Sequence, residues 1–528
     1  MTTYKPFLQR NKSYWQKTNG PFFGPMPSDQ YADVCVIGAG ISGLTTAYLL
    51  LRAGKSVIVI DRETQLGLHE TGLTSAHLSN ALDDTYQSLI QHHGLTNAQL
   101  AADSHTEAIN MIEKICTNEN IDCDFKRVDG YLFTGPEHDR EYLQKEMIAA
   151  EKAGLKDLEI LENVPVNFFH SGACLRYPNQ AQFHAIKYLN GLAEAVAKMG
   201  GKIFTRSEAT QVVGGRGAYV KLNNNFCVHC NDIVVATNVP FNDRISMQTK
   251  IAAYRSYVIG VAVPKNFMKP LLLWDTTDPY HYIRLIERPE SSSDLLIVGG
   301  EDHRTGHEEN PQRCFRRLMD WVQDTLLVDG PVECRWSGQI IEPFDGPAFI
   351  GRNPGEENVY IVTGDSGHGL THGTIGGMLI CDLILKVDNP WENLYNPSRF
   401  NISSVGNYLS EVSSSTAPYK DWLSPAEVSN IEDIPLGEGA IVRRGLKKLA
   451  VYKDSQDHVK IFSAICPHLG GIVRWNDGEK TWDCPCHGSR FTTDGKVVNG
   501  PAPCGLHAED GSTAVEEAPV HKPRVHNP

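Results

Sequence analysis

Two short stretches near the C-terminal end of this 528-residue chain carry atoms that could hold a metal centre. The stretch "CPHLGG" supplies Cys466 and His468, and "CPCHGSR" supplies Cys484, Cys486 and His487. The pattern is C-x-H, then fifteen residues, then C-x-x-H. Each loop offers one thiolate and one imidazole. Two thiolates suit one ferric iron and two neutral imidazoles the other, so Cys466, His468, Cys484 and His487 match a [2Fe–2S] cluster of mixed ligation. A tetrahedral zinc also accepts two thiolates and two imidazoles. Zinc fingers, however, keep their cysteines together and their histidines together, whereas each loop here mixes them. Cys484 and Cys486 are one residue apart, so the spacing is not that of a CxxC dithiol.

A second constellation lies at the other end of the chain. Gly38-Ala39-Gly40-Ile41-Ser42-Gly43 matches GxGxxG. It follows the apolar run "DVCVI" and opens the helix-spaced "ISGLTTAYLLLRAG", and Asp61 ends the next apolar run, "SVIVID". That context is a βαβ unit binding a dinucleotide, with Gly38 for the turn, Gly40 for approach of the pyrophosphate, Gly43 for helix–strand packing and Asp61 for the ribose. The helix N-terminus offers free N–H groups to the phosphates. The chain has one such fingerprint, so a second dinucleotide is not expected.

The elements that must position these residues fall into two bodies. Residues 1–30 read as an arm lying over the main body. Residues 31–410 alternate buried strands, helices and sheet-like runs, including "YRSYVIGVAV" and "YHYIRLIE". The Ser-rich "YLSEVSSSTAPYKDW" marks a linker at 411–428. Residues 429–511 are short strands and turns, a small all-β domain, and 512–528 read as a loose tail. A net charge of −14 lacks the basic footprint that nucleic acid requires. No apolar run is long enough to span a membrane, and the first residues lack the apolar core of a signal peptide. Thirteen scattered cysteines read as reduced intracellular thiols plus one special site, and a cytoplasmic location is expected. The "CVHC" of Cys227 and Cys230 reads as packing.

The N-terminal fingerprint, "IVVATN" and "ECRWSGQIIEPFDGPAFIGRNPGEENVYIVTGDSGHGLTHGTIGG" together resemble the D-amino-acid-oxidase-like (DAO) superfamily of FAD-dependent amine oxidoreductases over roughly residues 31–400. The "GxSGHG" turn is most similar to the γ-glutamylputrescine-oxidase branch. The resemblance implies an α/β, Rossmann-like FAD-binding part (about 31–110, 165–250 and 335–392) and an antiparallel-sheet substrate part (about 111–164 and 251–334). It implies FAD contacts at Gly38, Gly40, Ile41, Ser42, Gly43, Asp61, Arg62, Thr74, Ser75, Val212, Gly364, Gly369, Leu370 and Thr371. Carboxylate-binding members carry an Arg before the DG-P segment; here Gln339 and Glu342 stand around that position, so Glu342 would instead attract a cationic amine. His281, Tyr282 and Arg284 alternate along "PYHYIR", one face of which would meet the flavin. His303 and His368 are further candidates, with His368 favoured by its glycine-flanked turn. The catalytic candidates are therefore His368, His281 and Glu342.

"WNDGEKTWDCPCHGSRFTTDGKVVNGPA" resembles Rieske [2Fe–2S] domains, and the whole chain resembles a bacterial group that fuses the two units. Many Rieske domains join their two loops by a disulfide. Here Gly471 stands where the partner of Cys486 is expected, so Cys486 should be a free thiol. Ser489 keeps one hydroxyl donor to the cluster sulfurs and Phe491 replaces a second, which implies an intermediate potential within about −150 to +300 mV. The expected activity is oxidation of a C–N bond in an amine or amino-acid-like molecule, with electrons leaving singly through the cluster to an unknown acceptor. The alternative is the reverse flow, from an unknown donor through the cluster to the flavin. A Rieske oxygenase would need a two-histidine, one-carboxylate iron site, and no such triad is evident.

Overall fold

The computed structural model describes residues 12–242, 247–308, 310–399, 417–422 and 424–509. The 512–528 tail and residues 411–416 and 423 of the expected linker lie outside the described residues.

The "VCVI" and "VIVI" runs form adjacent parallel strands, Val34–Ile37 and Val57–Ile60, buried at every position. All-apolar strands of this kind suit a sheet covered on both faces. The sheet has six strands, in the order Phe349–Arg352, Val359–Thr363, Asp232–Val235, Val34–Ile37, Val57–Ile60, Lys202–Phe204. All neighbours are parallel except the first pair. Helix Ile41–Arg52 packs on this sheet and on helices Gly369–Leu385 and Ala185–Lys198. The Gly-rich turn is obligatory: a Cβ on Gly43 would sit 1.9 Å from the Gly38 carbonyl oxygen.

A nine-stranded mixed sheet forms the second layer. The run from one edge is antiparallel: Val332–Pro343, Ile251–Val263, Asp294–Arg304, His281–Ile286 and Leu272–Asp275. Helix Gln312–Asp324 covers its outer face through Cys314, Phe315, Leu318 and Val322. The inner face looks toward the first sheet, and the space between the layers is the main cavity.

Residues 1–11 of the expected arm lie outside the described residues; of those that follow, Trp15 contacts the body. Trp15 is buried, its indole N–H donates to the Thr74 carbonyl at 2.7 Å, and the Arg284 guanidinium lies over its ring.

The C-terminal domain pairs a three-stranded sheet (Glu438–Arg444, Lys447–Lys453, Val459–Ser463) with a four-stranded one (Arg474–Asn476, Thr481–Asp483, Arg490–Phe491, Val497–Asn499). Its core gathers Phe462, Trp482 and Phe491 around Cys466, Cys484 and Cys486. Part of the expected linker is not a spacer. In Ala417–Trp422 the Tyr419 hydroxyl donates to Leu469 O at 2.8 Å and the Trp422 indole to Gly470 O at 2.9 Å. Arg474 grips Asp421 with two N–H groups at 2.8 and 2.9 Å.

The two domains meet through a buried ion network. Arg255, on the long strand Ile251–Val263, donates to both oxygens of Glu479 at 2.6 and 2.8 Å. Arg490 reaches the same carboxylate and also Asp483 at 3.1 Å. The Arg255 and Glu479 side chains are 1 % and 2 % exposed, so the charges rely on one another rather than on water.

Candidate active site

Two cavities join at Gly40, Glu70, Thr71, Ala236 and Asn238. One runs past Gly38, Asp61 and Arg62; the other runs past Ile41, Ser42, Thr74 and Ser75 to His368, Gly369 and Leu370. The continuous channel therefore starts at the ribose-type acid, crosses the N-terminus of helix Ile41–Arg52 and ends at that of helix Gly369–Leu385. Its walls hold buried polar atoms with no partner in the protein: Ser42 Oγ, Asn238 Nδ2, Thr363 Oγ1 and Gln339 Oε1. Burying such atoms unpaired is costly, and a phosphate-bearing flavin dinucleotide supplies what they lack. The residues present fit FAD. Asp61 meanwhile accepts from Ala39 N at 2.7 Å and Glu63 N at 2.8 Å, bracing the glycine turn.

Most of the expected FAD contacts line this channel. Gly43 acts by packing rather than by facing it. Three more do not line it. Val212 sits on strand Ala209–Val213, paired with Val220, and Ala209 lines the cavity instead. Gly364 turns against Pro343 and Phe349 behind the cavity. Thr371 lies on the far side of its helix, with its hydroxyl against His368 O and His105 Nδ1.

The catalytic candidates divide in the same way. His368 faces the cavity from the N-terminus of its helix. Its Nε2 lies 3.3 Å from Asp83 Oδ1 and 3.1 Å from Asp83 N, so the charged ring has a carboxylate partner and the neutral ring an amide donor. Burial pulls its pKa down, but Asp83, Asp84 and Asp365 outweigh burial and hold it above the ordinary value.

His281 points the wrong way for this site. Strand alternation turns it toward helix Gln312–Asp324, stacked on Trp321 at 4.1 Å and 3.0 Å from Asp275 Oδ2, while Tyr282 faces the cavity. Glu342 also lies outside it. It accepts from Ser366 Oγ at 2.8 Å in a separate smaller pocket, and burial with the nearby Asp84 pushes its carboxyl well up, toward the neutral form. His303 is bonded to the Tyr257 hydroxyl at 2.9 Å.

Sequence reasoning missed Asp83, Trp274 and Tyr280, which line the cavity beside Tyr282. They come from separate segments, and no local spacing joins them.

At the second site the four expected ligands form two pairs. Cys466 and Cys484, each 2 % exposed, face one another closely enough to interact. The His468 and His487 rings pack edge to face with centroids 4.8 Å apart, at the rim rather than in the core. The Cys466–Cys484 contact and burial push the Cys466 thiol up. At Cys484 that contact favours the thiolate, but its contact with Cys486 and burial prevail, and the thiol stands at about 12. A metal bound here would take both thiols as thiolates, releasing their protons. Among the described residues no three His, Cys, Asp or Glu converge as a single metal ion would need. The donors instead pair by type, thiol with thiol and ring with ring, and fit a two-iron cluster. Ser489 Oγ is buried beside Cys466 and accepts from Ala502 N at 3.0 Å. A Cβ on Gly471 would lie 2.6 Å from Cys486 Sγ, so Gly471 does stand at the position from which a cysteine would reach Cys486.

The second cluster loop is docked on the flavin-binding body. Gln339, a wall residue of the main cavity, donates its amide to Gly488 O at 2.9 Å, immediately after His487. Gly488 has φ +76, and a Cβ there would be 2.2 Å from that of Ala253, so the approach admits only glycine. His307 Nε2 lies 3.1 Å from Pro485 O.

This fold and these two sites define a flavin-dependent oxidoreductase joined to an iron–sulfur electron-carrier domain. The chain belongs to the FAD dependent oxidoreductase (DAO) family, whose model matches residues 33–383, and it carries a Rieske [2Fe-2S] domain matching residues 424–509. It therefore binds FAD and a [2Fe–2S] cluster. A Bacillus subtilis (strain 168) protein, YhfW, named as a Rieske 2Fe-2S iron-sulfur protein, is 30% identical over 498 residues, covering 93% of this chain and 96% of its own. The γ-glutamylputrescine oxidoreductase of Escherichia coli (strain K12) is 24% identical over 376 residues, covering 67% of this chain and 83% of its own. Among solved structures, glycine oxidase from Geobacillus kaustophilus shares the fold, with a TM-score of 0.59 at 15% identity, covering 70% of this chain and 99% of that one. Among the described residues no helix is long and apolar enough to cross a membrane.

Proposed function

We propose that the protein oxidises a C–N bond of a cationic amine and delivers the electrons singly, through Cys466, His468, Cys484 and His487 as cluster ligands, to a one-electron acceptor. The observation that carries this is the Gln339–Gly488 hydrogen bond, which joins the wall of the flavin cavity directly to the residue after His487. When bound, FAD supplies two-electron oxidation and single-electron release, and the cluster supplies one-electron carriage. A hydride leaves carbon, a proton leaves nitrogen, and water hydrolyses the resulting iminium to a carbonyl and the released amine. Two equivalents of the acceptor complete the balance.

The chain's own residues support an amine rather than an amino acid. No Lys or Arg is among the described residues lining the main cavity, and the one His held toward the charged form, His368, is already paired with Asp83, so no side-chain cation is left to meet a substrate carboxylate. Asp83 lies beside Trp274, Tyr280 and Tyr282, a carboxylate with aromatic faces, which suits an ammonium group. Tyr280 Oη is 3.4 Å from Asp83 Oδ2, and Tyr282 Oη is 2.9 Å from Ser256 Oγ, which fixes both rings. His368, held to Asp83, is placed to hold or take a proton at Nε2 at the same end of the cavity.

The test is anaerobic mixing of holoprotein with a panel of amines and their α-carboxylated analogues. Flavin bleaching followed by the reduced-cluster EPR signal, with amines preferred, is the expected result. Bleaching without cluster reduction overturns the electron route. Reduction of the flavin only after the cluster has been reduced from outside assigns the reverse flow.

A further inference from the structure

One stretch of the channel wall does not come from the flavin-binding body. Val497, Val498, Asn499, Gly500, Ala502 and Pro503 line the cavity opposite Gly38, Asp61 and Arg62. They lie outside residues 33–383, which match the flavin family, and belong to the last strand of the cluster domain and the turn after it. Two polar contacts fix them there. Arg62 donates to the Val498 carbonyl, and Asn499 Nδ2 donates to Glu70 Oε1 at 2.9 Å. The other Glu70 oxygen accepts from Gln339 N at 2.7 Å, so one carboxylate ties together the cavity wall and the cluster domain.

The same stretch is tied to the cluster loop. Strand Val497–Asn499 pairs with Arg490–Phe491, Ala502 N donates to Ser489 Oγ at 3.0 Å, and Cys484 N donates to Ser489 O at 2.8 Å. A single run of hydrogen bonds therefore links the ligand loop of one cofactor to the wall of the other's site.

We propose that the Rieske domain closes the adenosine end of the FAD site, with Val497–Pro503 as its second wall, so that FAD retention and ordering of the cluster loop support one another. The adenosine end is the end at Asp61, the acid that ends the second strand of a βαβ dinucleotide unit and bonds the ribose. Anything that binds the docked arrangement and not the undocked one stabilises docking, and the coupling is reciprocal. FAD then holds the Rieske domain in place, and a correctly folded cluster loop slows loss of FAD.

The experiment uses full-length protein, freed of flavin but retaining its cluster, with FAD and FMN as probes. Hydrogen exchange is followed by mass spectrometry. FAD is expected to slow exchange at 38–43, at 61–71 and also at 497–503, whereas FMN, which lacks the adenosine half, leaves 497–503 at its free rate. Asn499→Ala, with the Rieske EPR signal intact, is expected to weaken FAD binding about tenfold by fluorescence titration, the worth of one hydrogen bond to a charged group. Slowing at 38–43 and 61–71 without slowing at 497–503 overturns the proposal, as does equal slowing at 497–503 by FMN. The exchange measurement stands on the unaltered protein if Asn499→Ala does not fold.

Discussion

The Gln339 side-chain amide donates to the Gly488 carbonyl at 2.9 Å, and this bond crosses the boundary between the two domains. Gln339 is 2 % exposed, and Gly488 follows His487 directly in sequence. A flavin cavity and a cluster loop are thus separated by one side chain.

Replacing that side chain tests the route. Gln339→Leu keeps the approximate volume but leaves the Gly488 carbonyl buried and unpaired, a cost of about 1–3 kcal/mol. Cluster reduction should lag further behind flavin bleaching than in the wild type. Stopped-flow absorbance of both centres measures the lag, and an unchanged ratio of the two phases rules out this path.

The buried network at the same boundary should govern docking. Arg255→Met removes the cationic flavin-side partner of Glu479 and leaves Arg490 and the Ser337 hydroxyl on its carboxylate. Breaking a buried pair from one side costs about 3–5 kcal/mol. Urea denaturation followed by the visible circular dichroism of the cluster should show that loss. The matched double change Arg255→Met with Glu479→Gln should recover part of it.

His368 makes stability depend on pH in a predictable direction. Its pKa is above the ordinary value when folded, so the stability it contributes is fully present below about pH 6.5 and is lost as pH rises through the folded value. Burial acts oppositely on His372 and His77, which are pulled down to about 3, so these two lose stability as pH falls through their unfolded value. Asp83→Asn isolates the first effect. The wild-type advantage over this variant in urea midpoint should be largest near pH 6 and shrink toward pH 9.

Gly471 and Cys486 offer a gain rather than a loss. A Cβ on Gly471 would lie 3.4 Å from the Cys486 Cβ, close to the separation found in disulfides, and Gly471 does not need a positive φ. Gly471→Cys should form the staple on mild oxidation and stabilise the cluster domain by about 3 kcal/mol, the worth of a loop of this length. Non-reducing mass analysis and thermal melts check it. In the unaltered chain, Cys486→Ala should retain two irons per chain and Cys484→Ala should retain almost none.

Much of this was legible in the sequence because it is local. The cluster ligands lie in two short loops, and their donor types name the metal chemistry without reference to the fold. The glycine fingerprint sits between two apolar runs, and its steric demands, such as the 1.9 Å approach at Gly43, are set within one turn. Helix, strand and domain order follow from the same local periodicity.

Tertiary structure decided what depends on which face a strand presents and on which distant segments meet. His281 and Tyr282 are neighbours in sequence, yet sheet alternation sends one to a helix and the other to the cavity, and nothing in "PYHYIR" says which. Glu342 reads as a free carboxylate until burial beside Asp84 pushes it toward the neutral form. The joining of the two sites through Gln339 and Gly488, and of Arg62 with Val498, spans 149 and 436 residues of chain. Contacts at such separation leave no periodic trace, because they are chosen by how two finished surfaces pack and not by the residues beside them.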